Sequence, residues 1–168
     1  MVLMNDPAGN HEEFLRIATP DDIPVLLNHH GKMFEEIREN AGNPVDQSIL
    51  TALEKEYQKK LSREIPSGTC IAWVVDISDR IVSSGAVSIV SYVPVPHDLS
   101  PTIAFLHSVY TEKEYRHRHY ARDITRAAAD YCRNRGIRRL YLFASDAGQP
   151  LYEKAGFVPV PNAMLLLQ

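Results

Sequence analysis

The chain has 168 residues, enough for one domain with a real hydrophobic core. Apolar residues make up 45% and charged residues 23%, a balance that excludes a disordered chain, and a formal net charge of -3 excludes a generic polyanion binder. No apolar run is long enough to span a membrane, and the start MVLMNDPAGNHEE lacks the basic head and long apolar centre of a signal peptide.

Residues 1–12 read as a flexible leader and residues 13–168 as a single domain. Phe14 to Ala18 reads as a strand. Thr19-Pro-Asp-Asp22 opens a helix, with Thr19 or Asp21 as its cap. Ile23, Leu26, Leu27, Met33, Phe34 and Ile37 then recur at helical spacing. His29 and His30 are adjacent on that helix, so they point to different faces. Ala41 to Pro44 breaks the pattern, and Asp46 to Arg63 is a second helix with Ile49, Leu53, Tyr57 and Leu61 along one stripe.

Thr69–Ile77 and Ile81–Val90 are two strands rich in Val and Ile, joined by the turn Ser78-Asp79-Arg80, a hairpin signal. A proline-rich loop, YVPVPHDLSP, leads to a third strand, Ile103–Thr111. A helix follows from about Tyr120 to Arg135, ended by Gly136. Leu140–Ala144 is a strand and Gln149–Ala155 a short helix before Gly156. Phe157 to Leu167 has room for one or two final strands, with Leu165 to Leu167 read as core. The order predicts a mixed α/β sheet with helices on its faces. Cys70 and Cys132 lie far apart in apolar patterns and read as buried, reduced thiols, which suits a cytoplasmic protein.

The basic residues are unevenly spread. Arg116, Arg118 and Arg122 crowd with His117 and His119 where the third strand gives way to a helix. A helix start already holds N–H groups without internal partners and a positive dipole end. Arginines beside it make a site for a phosphate or diphosphate, or else a solvated helix end. His117-x-His119 has metal-like spacing, but no carboxylate or cysteine set completes it, and no metal is expected.

The order Arg116-x-x-x-x-Ala121, helix, Gly136, strand, then LYEKAGF (Leu151 to Phe157) resembles the GNAT superfamily of acetyl-CoA-dependent N-acetyltransferases. The resemblance implies a mixed, mostly antiparallel central sheet with helices on both faces. It implies acetyl-CoA as cosubstrate and a primary amine, on a small molecule or a peptide, as acceptor. Val109 and Thr111 would offer backbone to the thioester and pantetheine arm. Arg116, His117, Arg118, His119, Tyr120, Ala121 and Arg122 would wrap the pyrophosphate, with Ser145 near the cofactor. Tyr152 would give its phenol proton to the departing thiolate. The family's central loop glycine is His119 here. It could sit in an ordinary right-handed turn, add a contact to phosphate, or weaken cofactor binding.

Acetyl transfer also needs a neutral amine. His107 is the side-chain candidate for general base; on an unbulged strand it shares the face of Val109. Glu35, Glu36, Glu39 or a water relay are alternatives. The acidic first quarter hints at a cationic amine, although a solvated helix face explains it equally well. Two rival readings are a non-catalytic acyl-CoA sensor on the same fold and a nucleic-acid module built on the arginines. The negative net charge and the lack of interleaved aromatics speak against nucleic acid. No membrane partner is expected, and a homodimer stays open.

Overall fold

The computed structural model describes residues 2–4, 13–161 and 163–167. Among the described residues six strands form one sheet: β1 (Val2–Met4), β2 (Glu13–Ile17), β3 (Cys70–Ile77), β4 (Arg80–Ser91), β5 (Thr102–Thr111) and β6 (Leu140–Leu142). They lie side by side in chain order, antiparallel throughout except for the parallel β5–β6 pair. Val2–Met4 thus pairs within the segment expected as a leader; residues 1 and 5–12 lie outside the described residues.

Alternation along β3 shows why helices cover both faces. Cys70, Ala72 and Val74 join one buried cluster, while Ile71, Trp73 and Val75 join another. A strand buried on both faces needs a layer on each. α1 (Ile23–Asn40) and α2 (Gln47–Ser67) close the first face with Leu26, Leu27, Tyr57 and Leu61. α3 (Tyr120–Asn134) closes the second with Ile124, Ala128 and Cys132. Both cysteines are buried free thiols.

Local signals fix most element ends. The Thr19 N–H donates to Asp22 Oδ2 at 2.7 Å, so Asp22, not Asp21, closes the turn before α1. Arg16 grips the same carboxylate with two bonds, at 2.7 and 2.9 Å, and this pairing holds Asp22 below the usual carboxylate range. Asp46 accepts from the Ser48 N–H at 2.7 Å, and Gly68, at φ 72°, ends α2 four residues past Arg63, at Ser67. Arg139, itself buried, donates to Asp98 at 2.7 Å and to the carbonyls of Val93 and Ser100. These bonds fasten the proline-rich loop beside the start of β6.

The expected final strands are not found among the described residues. After the short helix α4 (Gln149–Lys154), none of the described residues from 157 onward is in a strand, and Leu165, Leu166 and Leu167 are 82%, 79% and 83% exposed. Pro159 and Pro161 lack the N–H donors that a ladder requires, and β6 offers an edge of only three residues.

One irregularity in the sheet shapes the rest. Ser84 pairs with Tyr110 and Ala86 with His107, so Gly85 alone faces both Ser108 and Val109. β5 therefore carries an extra residue, and Ser108 takes it up at φ 55°, in the left-handed region. Gly85 is needed there. A Cβ on it would lie 2.7 Å from Ile124 Cγ2 and 3.1 Å from Val109 Cγ2. Gly85→Ala is expected to destabilise the protein by about 1–3 kcal/mol, the cost of overpacking a filled core. An unchanged thermal unfolding midpoint would contradict this packing.

Candidate active site

β5 and β6 stay paired only as far as Leu106 and Leu142. Beyond that point they part around a cleft of about 1430 Å³. One wall holds the end of β5, the loop into α3, residues 143–148 and Tyr152; the other is built from α1 and α2.

The bulge decides which side chains meet in this cleft. An extra residue reverses the alternation of the strand. Val109 lies against Gly85 on the α3 face, while His107 and Ser108 both reach toward α1 and α2. The unbulged register, with His107 and Val109 on one face, does not hold. Ser108 Oγ becomes a hub. It lies 2.8 Å from His30 Nδ1, 3.0 Å from His107 Nδ1, and accepts from the Tyr57 hydroxyl at 3.2 Å. His107 Nε2 sits 2.8 Å from Ser88 Oγ. A serine hydroxyl has one proton to donate. One histidine must therefore accept it and the other must donate its own Nδ1–H, so the two rings hold opposite tautomers at Nδ1.

Burial pushes both His30 and His107 down to about 4, with nearby Lys60 adding to the effect on His107. Both rings are thus neutral at pH 7. His29 turns instead to Ser84, 2.8 Å from its Nδ1, and burial again outweighs the neighbouring Glu112 and holds it near 4. The two adjacent histidines do serve different strands. Ser108, Tyr57, Ser88 and Lys60 were not among the expected site residues. Tyr57 and Lys60, three residues apart on α2, carried a faint helical signal; the serines had none.

The arginine-rich loop divides its charge. Arg116 turns onto α1. Its terminal nitrogen reaches both oxygens of Glu36, at 2.7 and 2.9 Å, and its Nε donates to Thr111 O at 3.0 Å. Arg118 and Arg122 stay exposed, Arg118 over the Tyr115 ring at 5.4 Å and Arg122 with its Nε on Asp123 at 3.1 Å. His119 caps α3 at φ 70°, and His117 lies at φ 65°. The right-handed alternative for His119 is overturned: the loop keeps a glycine-like backbone with a histidine in it, and its ring is exposed. The first bond inside α3 runs from the Asp123 N–H to His119 O at 3.0 Å, and the amides of Ala121 and Arg122 precede it. Tyr120 is buried in the α3-side core.

Tyr152 is half-buried in the cleft, with its ring 5.9 Å from that of Phe157, and burial raises its phenol. Ser145 Oγ accepts from the Gly148 N–H at 3.2 Å, which shapes the turn into α4. Glu36 lines the cleft but is taken by Arg116, and Glu35 and Glu39 do not line it. Among the described residues no His, Cys, Asp and Glu side chains gather as a metal site.

The buried neutral histidines predict a pH dependence. Their folded values near 4 lie below the ordinary 6.5, so the unfolded chain binds more protons between those limits. Their contribution to stability is present in full above about 6.5 and is lost as pH falls toward 4, by on the order of 1.4 kcal/mol per histidine per pH unit. Thermal unfolding midpoints should drop from pH 7 to pH 5; a flat profile would mean that the rings are not held neutral.

Residues 32–157 match the model of the acetyltransferase (GNAT) family. None of the curated proteins matches the chain. Among solved structures, the chain is similar to a GCN5-related N-acetyltransferase from Ralstonia eutropha JMP134, at 21% identity and TM-score 0.83, over 92% of this chain and 98% of that one. A predicted acetyltransferase with acetyl-CoA from Clostridium acetobutylicum is similar at 19% identity and TM-score 0.82, over 92% and 96% of the two chains. Glucosamine-6-phosphate N-acetyltransferase from Arabidopsis thaliana follows at 15% identity and TM-score 0.68, over 92% and 97%. The family model spans three quarters of the sequence, and the mixed sheet carries the same fold as these neighbours: the chain belongs to the GNAT acetyltransferase family.

Proposed function

We propose that this protein is an N-acetyltransferase that moves the acetyl group of acetyl-CoA to a primary amine by direct attack in a ternary complex. The observation that carries the reading is the meeting, in one cleft, of a bulged strand end, a helix start with exposed arginines, and a half-buried tyrosine. The Clostridium acetobutylicum neighbour, solved with acetyl-CoA, supports the same cosubstrate. In this reading residues 13–168 form one acetyltransferase domain that works in the cytoplasm without a metal.

The residues present suit acetyl-CoA. The amides of Ala121 and Arg122 and the side chains of Arg118 and Arg122 suit its diphosphate, with His117, His119 and Tyr120 completing the loop. Arg116 contributes by bracing the loop against α1. Val109 and Thr111 offer the strand edge that lies beyond the end of β6. Ser145 shapes the opposite wall. When bound, the cosubstrate supplies an acetyl group activated as a thioester. The attacking amine forms the new C–N bond as the C–S bond breaks.

Two protons must move. His107 takes the one that leaves the amine. Both of its ring nitrogens already face hydroxyls, so that proton passes through Ser88 or Ser108, and His30 lies on the far side of Ser108. A ring held near 4 is a weak base and accepts the proton only as the new bond forms. Tyr152 gives a proton to the departing thiolate. Its raised phenol stays protonated at neutral pH, as a donor must.

Two measurements check these roles. Replacing Arg118 and Arg122 together by Ala should weaken acetyl-CoA binding by roughly 1–3 kcal/mol, the scale of lost charge-assisted hydrogen bonds. Calorimetry with unchanged affinity would move the diphosphate elsewhere. Tyr152→Phe should lower turnover by about 10²–10⁴-fold with little change in acetyl-CoA affinity, because only the departing thiolate needs the proton. Wild-type turnover in that variant would remove Tyr152 as the acid.

A further inference from the structure

We infer that the amine acceptor has an apolar, aromatic body and carries one carboxylate, which Lys60 recognises. The inference rests on the acetyltransferase reading and names the acceptor class of that same cleft. The phosphate loop and the end of β5 occupy one side of the cleft, so the compartment walled by α1 and α2 is left for the acceptor. Met33, Phe34, Ile37 and Tyr57 give that compartment an apolar, aromatic wall, and His30 stacks on Tyr57 with ring centroids 3.9 Å apart. A flat apolar body is the ligand such a wall accepts at least cost.

Charge then selects the rest of the acceptor. The carboxylate in this wall is Glu36, and it is already used. It receives two bonds from Arg116 and one from the Tyr110 hydroxyl at 3.1 Å, and Lys113 Nζ lies 3.7 Å away. Glu112 is likewise bonded to Lys32, at 2.7 Å. A second ammonium group on the acceptor would find no spare carboxylate among the described residues of the α1–α2 side, and Asp146 lies in the opposite wall, among residues 143–148. The cation it would meet is Lys60, one turn along α2 from Tyr57 and close enough to His107 to disfavour a charge on that ring. Lys60 is paired with Glu64, which stands outside the cleft wall and also receives Arg63. An ammonium has three donors, so Lys60 keeps capacity for a ligand carboxylate. Of the acidic first quarter, which hinted at a cationic amine, Asp22 and Glu36 are held in internal pairs with Arg16 and Arg116.

The test compares amines that differ only in a carboxylate. Acetylation rates are measured with 4-(aminomethyl)benzoate against benzylamine, L-phenylalanine against phenethylamine, and spermidine as the polycation. The same probes are titrated by calorimetry onto protein saturated with coenzyme A, whose own affinity reports that each variant is folded. At least one carboxylated probe should be favoured over its partner by about tenfold or more, the scale of one charge-assisted hydrogen bond. Lys60→Gln should abolish that preference and Lys60→Arg should keep it. The inference is overturned if the uncharged partners or spermidine are preferred, if Lys60→Gln leaves the ratio intact, or if no probe binds. Binding that depends on Lys60 without any acetylation would sink the acetyltransferase reading alone. Acetylation indifferent to Lys60 would sink only the inference about the acceptor.

Discussion

One extra residue in a strand governs this site. Ser108 sits in the left-handed region in the middle of β5, where a residue other than glycine costs of order 1–3 kcal/mol. Its surroundings hold it there. Gly85 leaves room behind the bulge, and three polar side chains converge on the serine hydroxyl in front. The bulge sends Val109 to one face of the sheet and His107 with Ser108 to the other. It thereby separates Val109, packed toward α3, from the histidine cluster under α1 and α2. The separation of β5 from β6 just before the bulge opens the space between them.

The crowd of positive charge at the mouth of α3 has two separate tasks. Arg116 is structural: its bonds to Glu36 and to the Thr111 carbonyl tie the loop to α1 and to the strand it leaves. Arg118 and Arg122 remain at the surface, beside amides that precede the first bond of the helix. His117 and His119 both adopt positive φ, which gives the loop its sharp turns without glycine. The pairing of Arg116 also neutralises Glu36, the carboxylate that α1 places in the cleft wall.

Much of this was legible in the sequence. The strands of the β3–β4 hairpin and β5 announced themselves by dense Val and Ile, and the helices by apolar stripes; the end of α3 at Gly136 was legible, whereas α2 runs past the expected Arg63 to Ser67. The motifs around Arg116–Arg122 and Leu151–Phe157 were enough to suggest the family that the domain match shows. What stayed hidden depended on tertiary contact. An inserted strand residue leaves no mark in composition, so His107 and Val109 were set on one face. The destination of Arg116 depends on Glu36, 80 positions away in the chain. The terminal leucines read as core by hydropathy alone, but Pro159 and Pro161 and the short edge of β6 leave them exposed.

The central claim is that the bulge and the start of α3 are two ends of one acetyl-CoA site. Amide hydrogen exchange of the full chain, with and without acetyl-CoA, tests it most directly. The account predicts slowed exchange at two separate stretches, residues 108–111 and residues 118–122, with little change along α2. Slowing confined to one of these stretches, or centred on another part of the chain, would contradict it.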